Sequence, residues 1–176
     1  VFFFVNVPAT PVIYTLSLHA ALPSFLSIRT EAEIAIIEMG ANHQGEIASY
    51  CEFVQPDYGL ITNVGNAHLE GFGGIDGVIK GKTELYADLA KRNGKVFVNG
   101  ENETLIKKLQ QFCFSNESYF EYGTKGRDCC KGKIVLGKEF LRVETTDGTI
   151  QTNLVGEYNF ENVMSEVCVG RDFESK

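Results

Sequence analysis

The chain has 176 residues, 44% of them hydrophobic, which fits one domain of ordinary size with a real core and argues against disorder. Its formal net charge of −7 excludes a general nucleic-acid binder, which needs a basic face. An anionic ligand stays compatible with that charge, because backbone amides and a metal ion bind phosphate locally.

The first 27 residues contain no Lys, Arg, Asp or Glu. Pro8, Pro11 and Pro23 interrupt them, and no basic segment precedes them, so neither a targeting segment nor stable membrane insertion is expected. From about residue 32 an α/β alternation begins. Ile34 to Ile37 reads as a strand buried on both faces. Gly45 to Phe53 reads as a short helix stopped by Pro56. Tyr58 to Thr62 is a second buried strand. Val78, Ile79, Leu85, Tyr86 and Leu89 recur at helical spacing, which predicts one amphipathic helix over roughly 75–92. Asn93-Gly94 closes it. Val96 to Val98 is a third strand, Glu103 to Phe112 a helix, and Ser118 to Tyr122 another strand.

The pattern then changes. Lys133 to Leu136, Phe140 to Val143 and Thr149 to Leu154 are short strands separated by turns at Gly137-Lys138 and Asp147-Gly148. They predict an antiparallel meander, followed by a helix starting near Asn159. The whole pattern predicts an α/β fold: a mostly parallel sheet with a small antiparallel extension.

The five cysteines are Cys51, Cys113, Cys129, Cys130 and Cys168. The count is odd, no CxxC pair occurs, and adjacent Cys129 and Cys130 are poorly placed to pair with each other. A disulfide framework or a structural zinc site is not expected, and a reducing cytoplasm is the expected setting.

Three blocks carry chemistry. Glu38 ends a strand and leads into Gly40-Ala-Asn-His-Gln-Gly45. A carboxylate there suits magnesium, which prefers hard oxygen ligands. His68 follows the second strand by a short glycine-containing loop, and would lie with Asn63 near Glu38 if the two strands are neighbours. A lone histidine is as often a surface hydrogen-bonding residue, and the same holds for His43. Gly77 to Thr83 imitates a phosphate loop but is rejected. Three residues rather than four separate Gly77 from Gly81, and the segment follows a loop and lies in a helical pattern rather than after a strand.

Residues 32 to about 172 resemble the central ATP-binding domain of the Mur ligases, in the branch that adds D-alanyl-D-alanine. The resemblance is carried by Glu38-Met-Gly-Ala-Asn-His-Gln-Gly-Glu-Ile47 and His68-Leu-Glu-Gly-Phe-Gly73. It implies the P-loop-type central-domain fold. It also implies that Glu38 binds a first magnesium, and that His68 and Lys82 serve a second. Lys82, in its Lys-x-Glu pattern with Glu84, would do so as a carbamate. On its own, Lys82 reads equally as a solvated helix lysine. Leu154 to Asn162 resembles the family's G-x-H-N-x-x-N block, with Tyr158 where the histidine stands. Asn162 would then contact adenine, and Asn159 is either an adenine contact or a helix N-cap. Asn99 resembles a family turn residue on the nucleotide side, and a simple turn explains it as well.

The resemblance implies an ATP-dependent amide ligase of peptidoglycan precursor synthesis in the cytoplasm. D-Alanyl-D-alanine would be added to UDP-N-acetylmuramoyl-tripeptide through an acyl phosphate, with ATP and Mg2+ as cofactors and no nucleic acid as partner. Another Mur or folylpolyglutamate-type ligase stays open, as does a non-catalytic fragment with residual nucleotide or metal binding. Residues 1–24 form an atypical segment, expected to be an artefact because Pro11 to Pro23 resembles translated adapter sequence. Residues 25–176 would be a partial central domain, with the phosphate loop and first strand missing, inactive alone and poorly soluble.

Overall fold

The computed structural model describes residues 2–6, 12–16, 34–65, 69–127, 130–135 and 140–174. The chain divides into two compact units. The first comprises Val1–Val96 and Phe112–Phe114, and the second Phe97–Gln111 and Ser115–Lys176.

The first unit is built on strands β1 (Phe2–Asn6), β2 (Val12–Leu16), β3 (Ile34–Met39) and β4 (Tyr58–Leu60), in the order β2-β3-β1-β4. β2 runs parallel to β3, whereas β1 is antiparallel to both β3 and β4. Burial alternates along β3: Ala35, Ile37 and Met39 are fully buried, and Ile34, Ile36 and Glu38 are half-buried. The strand thus has one core face rather than the two expected from its apolar run. β5 (Lys95–Asn99) begins in this unit, where the Lys95 amide donates to the Asp57 carbonyl at 2.8 Å.

Helix α1 (Glu46–Val54) follows β3 and stops at Gln55, which takes a left-handed conformation with φ of 51° before Pro56. Next come α2 (Leu69–Phe72), α3 (Ile75–Lys82) and α4 (Glu84–Arg92). The single helix expected over 75–92 is therefore two. Thr83 joins them with ψ of 0°, and its hydroxyl donates to the Ile79 carbonyl at 2.8 Å. This local bond competes with the helical ladder. The apolar spacing runs through the break and conceals it. Leu85 and Leu89 of α4 press on β4 so closely that a Cβ at Gly59 would lie 2.6 Å from Leu85 Cδ2. Asn93, at φ 57°, and Gly94, whose amide donates to Leu89, end α4 as the Asn-Gly pair predicts.

In the second unit β6 (Tyr119–Tyr122) lies beside β5, and the rings of Phe97 and Phe120 stack at 5.2 Å. α5 (Glu103–Leu109) begins at Asn102, whose side chain caps it by accepting from the Leu105 amide at 3.1 Å. Strands β7 (Gly132–Val135), β8 (Arg142–Thr145) and β9 (Gly148–Gln151) form the expected antiparallel meander as a separate sheet. The turn expected at Gly137-Lys138 lies outside the described residues. A 3₁₀ turn (Glu157–Asn159) leads into α6 (Phe160–Glu174). α6 packs close to β7: a Cβ at Gly132 would lie 2.4 Å from Met164 Sδ.

Buried Cys130 and Cys168 form a disulfide, with their Cα atoms 4.8 Å apart. This corrects the expectation from cysteine spacing. The pair is separated by 38 residues in sequence and meets only because α6 folds back beside the start of β7. Cys51 is free and buried, and Cys113 free and exposed.

Candidate active site

Phe2 of β1 stands opposite Glu38 on one side and opposite Leu60 on the other. Because β1 is antiparallel to both neighbours, β3 and β4 run the same way. Glu38 and Leu60 stand level, two strand spacings or roughly 10 Å apart. The two strands are therefore not neighbours, and this corrects the arrangement on which the nearness of Asn63 to Glu38 was conditioned. Their chains still leave the sheet at one edge, the carboxyl end, where open α/β sheets bind ligands.

The loop Gly40 to Gly45 is tied at that edge. The Glu46 carboxylate turns back on it, accepting from the amides of Asn42 at 2.7 Å and His43 at 3.3 Å. His43 Nδ1 lies 3.2 Å from the other Glu46 oxygen. Partial burial raises the pKa of Glu46, but these hydrogen bonds together with the charge of His43 outweigh it and hold the carboxyl below its ordinary value. His43 is thus occupied with Glu46. Gln44 Nε2 donates to the Phe72 carbonyl at 3.2 Å, which joins the loop to α2. The loop also fits α2 tightly: a Cβ at Gly71 would lie 2.4 Å from the Asn42 carbonyl oxygen.

Lys82, at the end of α3, reaches the same edge. Its ammonium donates to the Asn63 carbonyl at 2.8 Å, just beyond β4. Burial pushes its pKa down. The segment once comparable to a phosphate loop, Gly77 to Lys82, is helical, in keeping with its rejection. His68 lies outside the described residues. Among the described residues no group of three or more His, Cys, Asp or Glu gathers as a metal cluster. A magnesium site of low protein content nevertheless suits the donors here. Such sites use one or two carboxylates and complete their shell with water and phosphate oxygens. Half-buried Glu38, at the sheet edge, would supply one such carboxylate.

The other candidates lie on the second unit. Asn99 is buried, and its side-chain oxygen accepts from the Glu101 amide at 2.9 Å, so it holds the turn after β5. Asn159 sits in the 3₁₀ turn and donates back to the Val155 carbonyl at 2.9 Å. Asn162, on the first turn of α6, is exposed and lies 3.5 Å from the Asn159 side-chain oxygen. Tyr158 beside them is 79% exposed, a flat apolar surface next to two amides.

One residue outside the expected set is central to the first unit's site. Glu84 bonds the amides of Gly45 and Ala48 at 2.7 and 3.0 Å. A signal for it existed: a helix starting after a glycine has no side chain of its own at the cap, so its free amides need a remote acceptor.

Residues 9–170 match the model of the Mur ligase middle domain. The chain is 43% identical over 150 residues to the UDP-N-acetylmuramoyl-tripeptide–D-alanyl-D-alanine ligase of Escherichia coli, covering 83% of this chain and 33% of the relative. It is 36% identical over 151 residues to the ligase of the same name from Haemophilus influenzae, covering 83% and 32%. It thus spans about a third of the length of these curated relatives. A crystal structure of MurF from Acinetobacter baumannii superposes with a TM-score of 0.75 at 26% identity, over 94% of this chain and 37% of that one. The α/β sheet with its separate meander matches the fold of that neighbour, and the chain belongs to the Mur ligase family through its middle domain.

Proposed function

We propose that this chain is the ATP-binding middle domain of a cytoplasmic ligase that joins D-alanyl-D-alanine to UDP-N-acetylmuramoyl-tripeptide. One observation carries the reading. The loop after Glu38 and the residue that Lys82 holds, Asn63, leave the sheet at one edge, in a chain whose relatives carry that ligase name.

In that reaction a tripeptide carboxylate oxygen attacks the γ-phosphorus of ATP and ADP leaves. The dipeptide amine then attacks the acyl phosphate carbon, loses a proton and expels phosphate. The protein's part is positioning and charge stabilisation. Glu38 would hold magnesium, which when bound neutralises phosphate charge. His68 and Lys82 would serve a second ion. An ammonium cannot ligate a cation, so Lys82 would act as a carbamate. Its neutral amine attacks the carbon of CO2 and releases a proton. The lowered pKa of Lys82 enlarges the amine fraction available for this. On the second unit Asn162 would contact adenine, with Asn159 braced on Val155 and orienting it. Asn99 serves the turn.

Calorimetric titration of magnesium–ATP into the full chain, and into Lys82→Ala and Asn162→Ala, tests this. Each variant is expected to bind at least about tenfold more weakly, equivalent to roughly 1.4 kcal/mol. A folded wild-type chain that does not bind, or variants that bind like it, would overturn the reading.

A further inference from the structure

We propose that Glu84 is a positioning residue: its carboxylate latches the loop after Glu38 to the elbow that carries Lys82. The inference rests on the functional reading above, since it concerns the same site.

The latch is bidentate. One carboxylate oxygen accepts from the Gly45 amide at 2.7 Å and the other from the Ala48 amide at 3.0 Å. The partners are 39 and 36 residues away in sequence, so the bonds are wholly tertiary. Both belong to the start of α1, where the first amides have no partner within the helix and the helix dipole favours an anion. Gly45 occupies the cap position at φ 89° and has no side chain with which to cap. Glycine meets the conformational demand there and leaves the capping to another residue. Glu84 takes that part.

What the latch joins gives it a function beyond capping. Glu84 opens α4, Lys82 closes α3, and only Thr83 lies between them. Gly45 ends the loop that begins just after β3, seven residues beyond Glu38 in the chain. The carboxylate therefore fixes the Lys82 elbow against the loop of Glu38. The Glu46 bonds close that loop on itself, and Gln44 ties it to α2. Glu84 alone of these three ties it to the Lys82 segment. A glutamine would keep one acceptor and turn its NH2 group towards the second amide, so Glu84→Gln removes half the latch at constant size.

The test uses the full chain. In the wild type the Gly45 and Ala48 amides are expected to be protected from hydrogen exchange, and in Glu84→Gln that protection falls at least about tenfold. Magnesium–ATP affinity falls by a similar factor, and the 13Cε resonance of Lys82 shifts at constant pH. Asp88→Asn breaks the Asp88–Arg92 pair on α4 and serves as the matched control. It should lower the melting temperature without moving either binding or the Lys82 resonance. Glu84→Gln that is less stable yet binds like the wild type would leave a mere cap and overturn the proposal. Unchanged exchange at Gly45 and Ala48 would overturn it too. A wild type that binds no magnesium–ATP defeats the functional reading itself, and the proposal with it.

Discussion

Single glycines decide how closely the elements around the site approach. In an exposed helix, alanine is favoured over glycine by about 1 kcal/mol. Gly170, on α6, has open space where a Cβ would stand, so Gly170→Ala should stabilise the chain by about that amount. Gly77, on α3, is the opposite case. A Cβ there would lie 1.8 Å from the Phe72 carbonyl oxygen and 3.1 Å from Gln44 Nε2. That oxygen is backbone and accepts from Gln44, so it cannot yield cheaply. Overpacking costs about 1–3 kcal/mol and reverses the helix gain. Urea melts of the two variants should therefore move in opposite directions. Equal stabilisation would show that α2 and α3 are less closely seated than the structure has them.

At the scale of elements, what was legible in the sequence was local. The apolar run before Glu38, the Asn-Gly stop of α4 and the turn at Asp147 are signals within a few residues, and each element is where they place it. What was hidden depends on distant partners. β1 between β3 and β4 has no local mark, and the break at Thr83 is masked by continuous apolar spacing. The Glu84 latch spans 39 residues. The disulfide belongs to the same class. It closes 38 residues between the start of β7 and α6, for which chain entropy gives about 4 kcal/mol of stabilisation. Calorimetry with and without a phosphine reductant should show the melting temperature falling by about 10 °C on reduction. Cys168→Ser should melt at the reduced value under both conditions. A melt indifferent to reductant would show that the two thiols are not bonded. In a reducing cytoplasm the pair would be thiols, and the second unit would rest on packing such as Met164 against Gly132.

For the molecule as a whole, charge sets the terms of ligand binding. The chain carries a net charge of −7, and a nucleoside triphosphate is itself polyanionic. At physiological ionic strength the Debye length is about 8 Å, so acidic groups near a bound phosphate still repel it. Backbone amides supply only partial positive charge, and Lys82 is held on a carbonyl with its pKa lowered. On the proposed reading a divalent cation at Glu38 would bring phosphate to the carboxyl edge of the sheet. ATP titrated in the presence of a chelator should therefore bind at least about tenfold more weakly than with magnesium, or roughly 1.4 kcal/mol less favourably. The salt response gives a second sign to check. Basic proteins lose affinity for phosphates as salt rises, because bound counterions are released. Here added salt screens repulsion, so residual metal-free binding should stay level or strengthen between low and physiological salt. Affinity that is unchanged by chelation and falls steeply with salt would instead require a cationic phosphate site, and would remove Glu38 from the role assigned to it.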